Sequence, residues 1–166
     1  MASEDDLWSL VADAAQGVLA TVAQDGRPQL SNVLYVADSG PRVVRISTTA
    51  DRVKARNLAR DPRAALHVTG RDFWHYAVAE GITTLSAVAA APGDEACREL
   101  LAVHSACYGD LDPDAFYPEM ITYRRLVVRL QVGHLYGVIA TGGRRPVQRP
   151  AEAPPGSGAA GPAEQA

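Results

Sequence analysis

The sequence predicts a mainly β protein, in which an antiparallel sheet forms a closed or nearly closed barrel with helices at its sides. Roughly six segments alternate apolar and polar residues with the period of a strand. Most of them follow one another through short turn signals, so that neighbours in sequence pair as neighbours in the sheet. Helical segments occur between some of the strands and not after every strand, which disfavours a doubly wound parallel sheet.

The first segments predict a helix followed by a β-hairpin. Leu7–Ala15 carries its apolar residues on one helical face, so an amphipathic helix is expected to cover one end of the core. Gly17–Gln24 and Pro28–Ala37 alternate as strands, and Asp25-Gly26 between them is a strong hairpin signal. Polar residues occur on both faces of the second strand, which indicates that its start lies near solvent or a ligand. These residues are Gln29 and Ser31 on one face and Asn32 on the other.

The centre of the chain predicts a strand, a short basic helix and a second strand. Val43–Thr48 alternates as a strand, Thr49 is a reasonable helix N-cap, and Val53–Ala59 has the composition of a short helix. Asp61-Pro62 ends the helix before the strand Ala64–Val68 begins.

Residues 42–68 concentrate positive charge in a chain whose formal net charge is −3. Seven basic and two acidic residues give this stretch a local net charge of +5. The basic residues are Arg42, Arg45, Arg52, Lys54, Arg56, Arg60 and Arg63. Arg52 and Lys54 lie near the start of the helix, where cations oppose the helix dipole unless an anion is bound there. The stretch is therefore either an anion site, beside the hydroxyl groups of Ser47 and Thr48, or a solvated basic helix face.

The second half of the chain predicts a long bent strand, two helices and two closing strands. The elements are Phe73–Ser86 with a bend at Gly81, the helices Gly93–Cys107 and Pro113–Thr122, and the strands Leu126–Val132 and His134–Ile139. Residues 1–139 are thus expected to form one barrel domain. Residues 140–166 are dominated by Pro, Ala, Gly and Glu, which predicts a disordered tail.

Length, charge and cysteine content exclude several classes of protein. A chain of 166 residues that is 47% hydrophobic is expected to form one domain with a real core. The sequence has no apolar run near the ~20 residues of a membrane span and begins with acidic residues, so a cytoplasmic protein without a membrane partner is expected. The net charge argues against nucleic-acid binding. Cys97 and Cys107, about 15 Å apart in one predicted helix, cannot form a disulfide.

The sequence carries no established catalytic motif and no metal-binding motif. GxSxG, Walker and GxGxxG patterns are absent, and no residue is identified as nucleophile, general acid or general base. Cys97, His104 and Cys107 share a helical face. Cys97 and His104 are nevertheless seven positions apart, which spans about 10 Å along a helix and is too far for one ion, so no metal site is expected.

Two further features each have two interpretations. Glu80 is either a buried acid or an ordinary edge-strand residue. The run Trp74, His75 and Tyr76 is either a wall on which a planar ring stacks or a set of core aromatics in a strand.

Three separated motifs nevertheless occur together in a familiar order. They are Leu19–Tyr35 (LATVAQDGRPQLSNVLY), Ser47–Val68 (STTADRVKARNLARDPRAALHV) and Trp74–Gly81 (WHYAVAEG), with a weaker HLYG at His134–Gly137. With these motifs the chain resembles the pyridoxamine-phosphate-oxidase-like split-barrel flavoproteins, over roughly Leu7 to Val138. The resemblance is closest to the actinobacterial branch that uses the deazaflavin coenzyme F420 in place of FMN. It implies an FMN-binding-type split β-barrel and a homodimer.

The resemblance also implies positions for the cofactor. It places the phosphate on Ser47, Thr48, Arg52 and Lys54, with Arg56 and Asn57 nearby. It places the isoalloxazine-like ring along Pro28–Asn32, where Gln29, Ser31 and Asn32 offer hydrogen bonds. Trp74 and Tyr76 are implied to come from the partner subunit, because the family builds its site between two chains.

The function that the resemblance implies is that of an F420-dependent oxidoreductase, which transfers a hydride between the reduced deazaflavin and a small organic acceptor. Since the cofactor carries the reactive atom, no catalytic residue of the chain is implied. Two alternatives share the fold: an FMN-dependent oxidase or reductase, and a carrier that binds a flavin or deazaflavin without turnover. A structural or protein-interaction domain is a further alternative, because a fold alone does not determine function.

Overall fold

The computed structural model describes residues 2–38 and 40–139. These residues form seven strands and four helices. The strands are β1 (Gln16–Val22), β2 (Pro28–Leu34), β3 (Val36–Asp38), β4 (Val43–Thr49), β5 (Arg63–Thr69), β6 (Tyr76–Leu85) and β7 (Arg125–Val138). The helices are α1 (Glu4–Asp13), α2 (Val53–Arg60), α3 (Glu95–Tyr108) and α4 (Pro113–Thr122). The predicted disordered tail, residues 140–166, lies outside the described residues.

All seven strands belong to one antiparallel sheet with the order β2-β1-β5-β6-β7-β4-β3. β2 and β3 therefore lie at opposite edges of the sheet, although only Tyr35 separates them in sequence. A flat sheet of this order would place its two edges several strand widths apart, about 4.8 Å for each strand. The sheet must curl until its edges meet, which confirms the predicted mainly β split barrel with flanking helices.

Tyr35 is the residue at which the chain passes from one edge of the sheet to the other. Its side chain is 1% exposed, and its hydroxyl group donates a hydrogen bond to the carbonyl oxygen of Val11 at 2.6 Å. Its backbone N–H donates to the carbonyl oxygen of Ala15 at 3.0 Å. The prediction of one continuous strand over Pro28–Ala37 is therefore wrong, because the backbone of Tyr35 bonds to the α1–β1 connection and leaves the ladder.

The long pairing between β6 and β7 contains the predicted bend. Glu80 pairs with His134 and Gly81 pairs with Val132, so Gly133 is an extra residue in β7. A Cβ atom on Gly81 would lie 1.9 Å from the carbonyl oxygen of Gln131, so only glycine fits there. The bulge also joins the two predicted closing strands into the single strand β7, which corrects that prediction.

Side-chain caps decide where the helices begin. Ser3 and Asp6 form a capping box, which starts α1 at Glu4 and not at Leu7 as predicted. Asp94 accepts a hydrogen bond from the N–H of Cys97 at 2.7 Å and starts α3. The predicted cap of α2 is wrong, because the hydroxyl group of Thr49 donates to Asp51 and the N-cap residue is Arg52.

Different helices cover the two faces of the sheet. The inner face packs with α1 and α2 into one apolar cluster that includes Trp8, Leu19, Leu58, Leu66 and Val128. On the outer face, α3 and α4 pack over the first half of β7, in a second cluster that includes Leu100, Val103, Phe116, Met120 and Val127. None of the described helices combines the length and the apolar character needed to cross a membrane.

Candidate functional site

A cavity of about 240 Å³ lies at the split of the barrel, where the β2 edge of the sheet approaches β4. The first turn of α2 and the C-terminal half of α3 complete its wall. We refer to it as the split cavity. Its polar lining residues are Asn32, Ser47, Lys54, His104, Cys107, Tyr108 and Arg125.

Ser47 stands at the centre of a small hydrogen-bonded cluster in the split cavity. It lies on the outer face of β4, and the start of β7 pairs with that strand. The Nη1 atom of Arg125 donates to the Oγ atom of Ser47 at 2.9 Å. The Nε2 atom of His104 lies 3.0 Å from the same oxygen. Three residues that are far apart in sequence thus converge through the pairing of β4 with β7 and the docking of α3.

Arg125 has unused hydrogen-bonding capacity. Its Nε atom is buried and has no hydrogen-bond partner among the described residues. A buried donor without a partner costs about 1 to 3 kcal/mol, and more when it carries charge. An oxyanion in the split cavity would satisfy this donor, so the residues present fit a phosphate group.

The electrostatics of the split cavity also favour an anion. No aspartate or glutamate is among the described residues that line it, whereas Lys54 and Arg125 contribute two cations. Burial lowers the pKa of Lys54, and repulsion from Arg52 lowers it further. Burial, reinforced by the charge of Arg125, also lowers the pKa of His104, although Glu119 acts in the opposite direction. His104 is therefore neutral near pH 7.

Three of the predicted cofactor-binding residues line the split cavity together: Asn32, Ser47 and Lys54. Thr48 does not, because alternation along β4 turns its side chain into the core, where it is 4% exposed. Arg52 is exposed at the N-cap of α2. Arg56 donates to the carbonyl oxygen of Asp51 at 2.9 Å.

Gln29, Ser31 and Asn57 meet in a different place, on the inner face of β1 and β2. Asn57, 5% exposed, donates from Nδ2 to the Oγ1 atom of Thr21 at 3.1 Å. Thr21 donates in turn to the Oε1 atom of Gln29 at 3.0 Å, and the Nε2 atom of Gln29 donates to Ser31 at 2.8 Å. We refer to these four residues as the inner network. The predicted ring-binding residues are thus divided, since Asn32 faces the opposite side of β2.

Most of the basic residues of 42–68 already have partners outside the split cavity. Arg42 forms ion pairs with Glu4 and Asp5 at 3.0 and 2.9 Å. Arg45 pairs with Asp38, Arg63 pairs with Asp61, and Arg60 donates to the carbonyl oxygen of Val22. The local charge of +5 is consequently spread over the surface, and Lys54 is the basic residue of this stretch that lines the split cavity.

A second cavity, of about 470 Å³, continues from the first over the outer face of the sheet. The two share Asn32, Val33 and Leu34 in their walls. The second cavity reaches His67, whose ring stacks on Tyr76 with centroids 5.5 Å apart and an interplanar angle of 21°. The two cavities together form a path from the end lined by Lys54 and Arg125 to an open face of the sheet.

The aromatic run and the histidines are placed as follows. Trp74 is 57% exposed in the turn before β6, so its interpretation as a core residue in a strand is wrong. β6 begins only at Tyr76, because two backbone hydrogen bonds close the turn before it. The N–H of Gly70 donates to the carbonyl oxygen of His75, and the N–H of His75 donates to the carbonyl oxygen of Asp72. Glu80 lies on the outer face, 3.3 Å from the Nδ1 atom of His134. Within residues 2–38 and 40–139, no three His, Cys, Asp or Glu side chains are placed to hold a metal ion.

Sequence reasoning did not find His104 and Arg125 as site residues. In sequence, His104 shares a helical face with Cys97 and Cys107, a pattern that points to a metal site and not to an anion site. Arg125 directly precedes a predicted strand. Arg125 is 78 residues from Ser47 and His104 is 57 residues from it, so no local pattern links them. The register of β4 against β7 would have identified Arg125, and the docking of α3 would have identified His104.

Comparisons with known proteins agree with this fold. The family model described as pyridoxamine 5'-phosphate oxidase matches residues 4–136. The structure of conserved hypothetical protein Rv2991 from Mycobacterium tuberculosis is similar at 23% identity, covering 86% of this chain and 94% of that chain, with a TM-score of 0.61. A structure named F420 Reductase is similar at 24% identity, covering 77% and 94%, with a TM-score of 0.56.

Similar structures carry other names as well. HutZ, described as the heme storage protein of Vibrio cholerae, matches at 16% identity over 82% of this chain and 95% of that chain, with a TM-score of 0.59. At these identities the structures establish the shared fold and not a shared ligand. The family model spans most of the chain, including the three motifs, the strands around both cavities and most of β7. The protein therefore belongs to the pyridoxamine 5'-phosphate oxidase family, with the split β-barrel fold.

Proposed function

We propose that this protein is an F420-dependent oxidoreductase, which binds the phosphate of its deazaflavin cofactor in the split cavity. The observation that carries the proposal is the donor set of that cavity. Lys54, Ser47 and Arg125 line it, the buried Nε atom of Arg125 has no hydrogen-bond partner among the described residues, and the described lining residues include no carboxylate. Among structural neighbours of the family, one is named F420 Reductase, which supports a deazaflavin.

The chain would contribute binding and orientation to this chemistry. Bound deazaflavin would supply hydride transfer to a small organic acceptor. Lys54 and Arg125 would hold the phosphate by charge-assisted hydrogen bonds at one end of the path. Asn32 lines both cavities, so its amide is available to the part of the cofactor that leaves the first cavity and enters the second. Contacts of Gln29, Ser31, Thr48, Arg52, Arg56 and Asn57 with the cofactor stay predictions.

A second copy of the chain would complete the site. The part of the outer face that α3 and α4 leave uncovered exposes large apolar side chains: Leu30 at 63%, Leu34 at 40%, Ile82 at 54%, Tyr136 at 43% and Val138 at 46%. Such a patch on a soluble domain is typical of an interface. In a homodimer formed through this face, Trp74 and Tyr76 of one subunit would lie near the ring bound to the other.

FMN is the alternative cofactor, because its terminal phosphate is also a tetrahedral oxyanion that the donors of the split cavity could bind. With FMN the protein would be an oxidase or reductase of the same fold. A protein that binds either cofactor without turnover would be a carrier.

The test is a parallel titration of the purified protein with oxidised F420 and with FMN at two salt concentrations, with the molecular mass measured by light scattering. We expect micromolar or tighter binding of F420, weaker binding at high salt, and a dimer. Tight binding of FMN alone would move the assignment to the flavin enzymes. If neither cofactor binds, the redox proposal is rejected. Reduction of acceptors by the loaded protein then separates an enzyme from a carrier.

A further inference from the structure

We infer that Arg125 and His104, which lie outside the motifs of the chain, bind the phosphate group in the split cavity, and that His104 takes up a proton as it binds. The inference rests on the proposed function only for the identity of the molecule that carries the phosphate. The chemistry recognised is that of a tetrahedral oxyanion, whether it belongs to FMN, to F420 or to free phosphate.

Other arginines of this structure bind a carboxylate that Arg125 lacks among the described residues. Arg45, Arg63 and Arg129 each use the fork of Nε and Nη2 to bind one carboxylate, on Asp38, Asp61 and Glu99 respectively. Arg125 uses Nη1 for Ser47, and among the described residues its Nε–Nη2 fork has no such carboxylate. The fork matches two oxygens of a phosphate as well as those of a carboxylate. An anion from outside the chain is the partner that completes it.

The bond from Nη1 to Ser47 fixes the orientation of the guanidinium group. β4 and β7 pair through seven residue pairs, from Val43 with Gln131 to Thr49 with Arg125. This pairing holds the backbone of Ser47 and of Arg125 rigidly. A fork held by one side chain loses less conformational entropy when it binds than a free arginine does. Arg125 is therefore preorganised, whereas the exposed Arg52 is not.

His104 is placed to respond to an anion. Its Nε2 atom shares Ser47 with Arg125, and its ring packs against Phe116 and Tyr108 with centroids 5.0 and 5.9 Å away. The charged or titratable groups around it are Arg125 from β7, Lys54 from α2, Glu119 from α4, and Cys107 and Tyr108 from its own helix. Burial and the charge of Arg125 lower the pKa of His104 more than Glu119 raises it, so the imidazole is neutral before the anion binds.

A bound dianion reverses this balance. It offsets the charges of Arg125 and Lys54 and attracts a proton to the imidazole, so the pKa of His104 rises from its lowered value on binding. By linkage, the affinity for the anion then increases as the pH falls through the range in which His104 titrates. The proton comes from solvent, and no bond other than N–H is formed.

The test uses sulfate as a tetrahedral dianion that does not itself titrate near neutral pH. Sulfate binding is measured by calorimetry at pH 8 and pH 6 for the full-length wild type, Arg125→Gln, Arg125→Lys and His104→Gln, with Arg98→Gln as a control. Arg98 is exposed on α3, and among the described residues its side chain donates to the carbonyl oxygen of Gly93, away from the split cavity. Imidazole ¹⁵N spectra, with His104→Gln for assignment, report the protonation of His104 directly.

We expect wild-type affinity to be about tenfold higher at pH 6 than at pH 8, the scale of one proton taken up over part of this range. Arg125→Gln should lower affinity about tenfold or more, and Arg125→Lys should lower it less, because the charge remains but the fork is lost. His104→Gln should remove the pH dependence, and Arg98→Gln should bind like the wild type. Sulfate should convert the neutral His104 signal to that of the imidazolium.

Several outcomes would overturn the inference. It fails if Arg125→Gln, with a wild-type circular dichroism spectrum, binds sulfate, F420 and FMN as the wild type does, or if the His104 signal stays neutral on binding. If Arg125→Gln does not fold, Arg125→Lys and His104→Gln decide the matter. Sulfate binding that depends on Arg125, without binding of either cofactor, would retain the inference and reject the proposed function.

Discussion

The split cavity and the inner network are two polar clusters built from the same segments, β2 and α2 with their neighbours. In the inner network, Asn57, Thr21, Gln29 and Ser31 donate to one another in a chain. In the split cavity, Ser47 accepts a hydrogen bond from Arg125. Among the described residues, however, Lys54 has no ion-pair partner and the Nε atom of Arg125 has no hydrogen-bond partner.

The difference shows that β2 and α2 contribute polar side chains both to the stability of the fold and to a candidate ligand site. Buried polar groups that satisfy one another stabilise the barrel and have little capacity left for a ligand. Cations that gather without a counter-charge weaken the fold slightly and bind an anion when it arrives. We therefore expect substitutions in the two clusters to have opposite effects on stability and binding.

Lys54→Ala is expected to have the largest effect, and the effect is on binding. The loss of a charge-assisted hydrogen bond to phosphate, worth about 1.5 to 3 kcal/mol, should weaken cofactor binding roughly 10- to 150-fold. Without ligand, the free energy of unfolding should stay the same or rise slightly, because a cation leaves the first turn of α2. Fluorescence titration and urea denaturation measure the two quantities. A fall of more than 1 kcal/mol in stability would show that Lys54 supports the fold.

Asn57→Ala should show the opposite pattern. It removes the donor to Thr21 inside a site that is 5% exposed, which should lower the free energy of unfolding by about 1 to 2 kcal/mol. Cofactor affinity, measured below the unfolding transition, should change less than threefold. Urea denaturation and the same titration provide the data, with the exposed Ala59→Ser on the same helix as the control for stability. A large loss of affinity in folded protein would instead support the predicted contact of Asn57 with the cofactor.

Tyr35→Phe tests the junction between β2 and β3 with a smaller change. The substitution keeps the buried ring and removes the hydrogen bond from the hydroxyl group to Val11, which should cost about 1 kcal/mol. β2 and β3 should remain in place, so affinity for the cofactor should be unchanged. Thermal unfolding followed by circular dichroism measures the loss. If binding weakens as well, the position of the β2 edge depends on this bond.

The pH dependence of stability gives the smallest effect. Because the pKa of His104 is lowered in the fold, the unfolded chain binds the proton more tightly, and stability should decline as the pH falls below the ordinary histidine value of about 6.5. The difference between wild type and His104→Gln isolates this contribution, since the other three histidines are present in both proteins. Urea denaturation at pH 7.5 and 5.5 without phosphate or sulfate measures it. An equal decline in both proteins would contradict a pKa of His104 that burial and Arg125 lower in the fold.

The sequence predicted the elements whose signals are local. Asp25-Gly26 and the alternation around it indicated the β1–β2 hairpin, and Pro113 at the start of α4 lies at the predicted first residue. Gly81 marked the bend because a glycine within a strand has few other uses. Local signals failed at Thr49, whose hydroxyl group donates to nearby Asp51 and does not cap α2, and at Tyr35, whose hydrogen bonds to Val11 and Ala15 take it out of the strand ladder.

By itself the sequence therefore determined the antiparallel barrel, the position of the basic helix and the family to which the chain belongs. Only the tertiary structure decided which polar side chains share a cavity. Alternation along β2 and β4 separates Gln29 from Asn32 and Thr48 from Ser47, while sheet register brings Arg125 to Ser47 across 78 residues. The physical reason is that a binding site depends on distances through space and on burial, and neither is encoded by residues that are close together in the chain.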